Sequence, residues 1–121
     1  MELYKIVDAS ESLIKLAKQD LPIRSAFKLQ TLIDLVRDHT QNFSAQHARL
    51  LNKYGVAVAE KIGTYNIPLE NSEKYNNELD SLLTTDVSLP DNKIHIKMAD
   101  NIILSASDIA CTLPLVEYIE N

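Results

Sequence analysis

The longest pattern in the chain begins at Pro22 and runs to Tyr54 without a glycine or a second proline. Along it Leu29, Leu32, Ile33, Val36, Phe43, Leu50 and Tyr54 recur at spacings of three, four and seven, which is one apolar stripe on a helix. Pro22 suits the first turn, where its missing amide costs nothing, and Gly55 suits a stop in the left-handed conformation. With a rise of about 1.5 Å per residue, a helix over 22–54 is about 50 Å long.

Shorter patterns flank this one. Glu2–Val7 alternates and carries β-branched and aromatic types, predicting a strand over 2–7. Asp8-Ala9-Ser10-Glu11 reads as a capped start for a helix over 9–20, with Leu13, Ile14 and Ala17 on its apolar face and a stop imposed before Pro22. Val56–Ala59 suits either a short helical piece or a strand. Ile62–Pro68 joins turn chemistry to alternation and points to a small hairpin or an ordered loop. Asn71 is the expected cap of a helix over 71–84, with Tyr75, Leu79, Leu82 and Leu83 facing inward.

Asp86–Leu89, the turn Pro90-Asp91-Asn92 and Lys93–Met98 read as strand, turn, strand over 86–89 and 93–98. Ile94, Ile96 and Met98 lie on one side, with Lys93, His95 and Lys97 on the other. Ser105-Ala106-Ser107-Asp108 resembles a capping box opening a helix over 106–119, bent or restarted at Pro114. The expected fold is α+β and mainly α: one domain over 1–121, a long helix packed with shorter helices in a hairpin, and a small antiparallel β-ribbon.

The lengths do not match. A helix of about 50 Å cannot be covered by neighbours of about 20 Å and about 15 Å. Part of it must overhang, meet the β-ribbon or pack on another chain. His39, Thr40, Gln46 and His47 also fall where the phase asks for apolar residues; they either set register on a seam or mark the solvent boundary. The candidate interface is therefore Val36, His39, Phe43, Gln46, His47 and Leu50.

Composition narrows the chemistry. The 121 residues are 45% apolar and carry a net charge of −5, ordinary for a globular chain and against intrinsic disorder. There is no apolar run near the length of a transmembrane helix, and Met1–Asp8 lacks the layout of a signal peptide. Residues 1–61 hold nine Lys/Arg against seven Asp/Glu, and residues 62–121 hold three against ten. The basic stretch Lys15, Lys18, Arg24 and Lys28 is thin and lacks aromatic platforms, so it is expected to face the acidic second half or a partner subunit, not nucleic acid.

The lone Cys111 sits among apolar neighbours and reads as core, and a single cysteine suits a reducing compartment. His39 and His47 are eight apart and do not form a one-face metal pair, while His95 has no carboxylate near it in sequence. Two glycines cannot build a phosphate-cradling loop. Asp34 and Asp38 flank Arg37 on what reads as a solvated helix face. The expectation is a protein that is not an enzyme and takes no cofactor or metal.

The order of features in Leu21–Val87 is familiar. Leu21-Pro22-Ile23-Arg24-Ser25-Ala26-Phe27-Lys28-Leu29 opens the long helix and Leu50-Leu51-Asn52-Lys53-Tyr54-Gly55 closes it. Gly63-Thr64-Tyr65-Asn66-Ile67-Pro68, then Tyr75-Asn76-Asn77-Glu78-Leu79-Asp80-Ser81-Leu82-Leu83, and a strand near Asp86-Val87 follow. This layout resembles small uncharacterised proteins of tailed bacteriophages and prophages. The resemblance implies a helical hairpin with a small β element and a viral origin, and it brings no catalytic residues with it. The expected function is a phage structural or assembly protein, in the virion or the host cytoplasm, that binds a phage or host protein and self-associates, without a membrane. A host-takeover or anti-defence factor and a small metal-dependent hydrolase remain as alternatives.

Overall fold

Ile6, Ala9, Leu13 and Leu16 meet Leu29, Leu32, Ile33 and Val36, and Ile96, Leu115 and Val116 close the core they form. The computed structural model describes residues 1–89, 93–97 and 102–119. In chain order these form α1 (Leu3–Ala17), α2 (Ile23–Tyr54), β1 (Val56–Ala57), β2 (Tyr65–Asn66), α3 (Leu69–Leu83), β3 (Ile94–Lys97), α4 (Ala106–Thr112) and β4 (Val116–Ile119). The fold is α+β and mainly α, with one antiparallel and one parallel pair of strands among the described residues.

The strand expected over 2–7 is instead the first two turns of α1. Leu3, Ile6, Ala9, Leu13 and Leu16 lie three or four apart and are all buried, so helical periodicity prevails over the β-branched content of the segment. Asp8 is consequently inside the helix. The N-cap is Glu2, which forms an isolated antiparallel bridge with Asp86, and the Leu3 amide donates to the Thr85 carbonyl. Helix α1 ends at Ala17, short of the expected 20, and Lys18 closes it.

Helix α2 is continuous over 32 residues and Pro22 stands at its N-cap. Gly55 closes it in an extended conformation, φ −100°, not in the left-handed one. Glycine is required there for space: a Cβ would lie 2.6 Å from the Leu51 carbonyl oxygen, which accepts the Gly55 amide. The segment after it is a hairpin, with Val56 opposite Asn66 and Ala57 opposite Tyr65, turning at Gly63 with φ +83°. Helix α3 begins at Leu69 behind Pro68, two residues before the expected cap; Asn71 instead donates its side-chain amide to the Tyr54 carbonyl at 3.1 Å and caps the end of α2.

Strand β3 shows the expected alternation, with Ile96 buried between exposed His95 and Lys97, but its partner differs. Residues 86–89 form no strand beyond the bridge at Asp86. β3 pairs in parallel with β4, placing Ile94 against Val116 and His95 against Glu117. A parallel pair needs a long crossover, and α4 lies within it. The helix expected over 106–119 therefore stops at Thr112. Pro114 breaks it, and Val116, Tyr118 and Ile119 are better suited to a strand. The Ser105 capping box forms in full, its hydroxyl accepting from the Asp108 amide and the Asp108 carboxylate from the Ser105 amide. The turn at Pro90-Asp91-Asn92 and Met98 lie outside the described residues.

Candidate interaction surface

The buried residues of α2 are Leu29, Leu32, Ile33 and Val36, and α3 has none. Val36, expected at an interface, is core and only 2% exposed, because α1 covers the first half of α2. Beyond it the stripe packs on α3, which runs back along it, and α2 also meets β1. His39 is half-buried and its Nε2 donates to the Ser88 carbonyl at 3.0 Å. Phe43 is half-buried and stacks on His47 at 5.6 Å between centroids, and His47 Nε2 shares a 2.8 Å hydrogen bond with the Tyr75 hydroxyl. Leu50 is half-buried and Gln46 is exposed. His47 thus lies on the seam between α2 and α3 with Phe43 stacked on it, His39 is tied to the segment after α3, and Leu50 is half-buried.

Polar groups hold the far end of this seam. Lys53 Nζ lies 3.4 Å from Glu78 Oε1, and the Tyr65 hydroxyl donates to Asn52 Oδ1 at 2.8 Å. The Tyr54 hydroxyl and the Glu78 carboxylate together raise the Lys53 ammonium above its usual pKa. Both members of the pair are well exposed, so it orients the helices more than it stabilises them.

A second polar cluster joins α1 to α4. Asp108 Oδ1 accepts from the Ser12 hydroxyl at 2.8 Å and lies 3.4 Å from Lys15 Nζ. The Ser12 hydroxyl, helped by Ser105 and Lys15, holds the Asp108 carboxyl below its usual pKa. Thr112, fully buried, donates to the Asp108 carbonyl at 2.9 Å and meets the Tyr118 hydroxyl. Ser12 is only 6% exposed and gives its proton to a carboxylate, so the geometry fastens two helices and does not present a nucleophile. Of the basic stretch only Lys15 pairs with the acidic second half; Lys18, Arg24 and Lys28 make no ion pair among the described residues.

Other expected sites fall as follows. Cys111 is half-exposed, not core, since α4 turns Asp108 and Thr112 inward. His95 Nδ1 lies 3.5 Å from Glu117 Oε2 on an exposed face, a pairing that only the strand register creates. Arg37 pairs with Asp34 at 3.6 Å on the solvated face of α2. Among the described residues no three His, Cys, Asp or Glu side chains converge as metal ligands would, and no helix is long and apolar enough to cross a membrane.

Sequence pattern did not single out several highly exposed apolar side chains on the helices. Ile23 and Phe27 stand in the first two turns of α2, 85% and 73% exposed, and Leu69 opens α3 at 90%. The signal was present as apolar residues off the stripe, out of phase with Leu29 and Leu32. No family model matches the chain, and no curated protein or solved structure matches it.

Proposed function

We propose that this is a phage-encoded, non-enzymatic structural or assembly protein that acts by binding through its helical hairpin and by self-association. One observation carries the reading: past Val36 neither α2 nor α3 buries a single side chain, so a long two-helix arm stands outside the core. Two packed helices leave part of their seam open, and closing it takes another element, as in a helical bundle. The resemblance of Leu21–Val87 to small tailed-phage proteins supports the viral setting, in the particle or in the host cytoplasm.

Light scattering across a concentration series tests the reading. A dimer or larger species is expected, and a monomer persisting into the high micromolar range would count against self-association. The exposed acids of α3 favour a second reading, a host-takeover factor that binds a basic host surface. Pull-downs with the intact chain separate the two, since a virion component retains phage proteins and an inhibitor retains a host enzyme.

A further inference from the structure

We infer that the chain self-associates head to tail, with the start of α2 in one copy docking on the outward face of α3 in the next. The inference rests on the self-association reading above and specifies its geometry. At the head, Ile23 and Phe27 lie one turn apart and, with Arg24 and Lys28, line one shallow depression. The apolar floor is almost wholly in solvent. Its rim is cationic: Arg24 and Lys28 line it, and neither makes an ion pair among the described residues.

The outward face of α3 is the complement. Leu69 supplies an exposed apolar side chain, and Glu70, Glu73 and Asp80 are exposed and without ion pairs among the described residues, against Lys74. Leu69 and Glu73 are one turn apart, the same spacing as Ile23 with Phe27 and Arg24 with Lys28. Charge decides the symmetry. Two copies meeting through the same head would set Arg24 and Lys28 against themselves, as would two α3 faces with their acids, whereas head on tail places each cation opposite a carboxylate. Such a contact is heterologous and leaves a free head at one end and a free tail at the other, so it propagates into a ring or a filament.

Sedimentation of four samples tests this. Wild type should grow with concentration and dissociate as salt rises. A head variant, Arg24→Glu with Lys28→Glu, and a tail variant, Glu70→Lys with Glu73→Lys, should each associate at least about tenfold more weakly alone. Their equimolar mixture should recover assembly, because a reversed head meets a reversed tail. All four altered positions are exposed in the wild type, and far-UV circular dichroism checks that each variant is folded. Wild-type assembly unmoved by either reversal, or folded variants that do not recover on mixing, overturns the head-to-tail contact while leaving self-association standing. A wild type that remains monomeric throughout overturns both.

Discussion

Asp108 concentrates more of the chain's organisation than any other side chain: its carboxylate caps α4 from within and receives the hydroxyl of Ser12 and the ammonium of Lys15 from α1. Because its folded pKa lies below the unfolded value, its contribution is complete above the ordinary carboxylate range and is lost as pH falls through the lowered pKa. Thermal stability should therefore fall as pH drops below the ordinary carboxylate range, and Asp108→Asn should flatten that fall while lowering the melting temperature at neutral pH. A melting series in which the variant keeps the wild-type acid slope would remove Asp108 from this role. Cys111 makes the complementary point. Its neighbours in sequence are apolar, yet α4 buries Asp108 and Thr112 instead, because the side facing the core meets a buried serine on α1.

Among the elements, α2 is one helix with two environments. Its first half is buried under α1 and β3, and its second half, with no fully buried side chain, packs on α3 and the β1–β2 hairpin. Truncating Leu32, 7% exposed, should cost about 2–5 kcal/mol, since it leaves a cavity in the core. Leu50→Ala should cost no more than about 1–2 kcal/mol, as a half-buried side chain already meets water. Urea denaturation of the two variants checks the ratio. Equal losses would mean that the arm is as tightly packed as the core, contrary to the burial described here. The same division explains why the seam tolerates His39, Gln46 and His47, which find solvent or a hydrogen-bond partner there.

For the whole molecule, stability is expected to be uneven. A region with few buried apolar contacts opens locally at lower free energy than a packed core. In dilute solution, below any assembly, the amides of residues 43–54 and of α3 should exchange with deuterium faster than those of residues 6–16 and 29–36. Self-association through α3 should slow the exchange of its outward side as concentration rises. Uniform protection in the dilute monomer would contradict an arm outside the core.

What residues within a few positions of one another decide was legible from the chain alone: the uninterrupted run of α2, the alternation around Ile96 and the capping box at Ser105. Each depends on hydrogen bonds or steric exclusions that close over one or two turns. Contacts between distant segments decided the rest. Leu3 starts a helix because a core spanning α1, α2 and β3 accepts a helical stripe there. β3 pairs with β4, not with residues 86–89, because the crossover through α4 brings Val116 beside Ile94. Asn71 caps α2 because the hairpin folds it back onto Tyr54. Local chemistry specifies strong caps and uninterrupted helical runs, but the identity of weaker segments and the partners of all of them follow from which apolar faces can be buried together, and that is settled only when the chain has closed on itself.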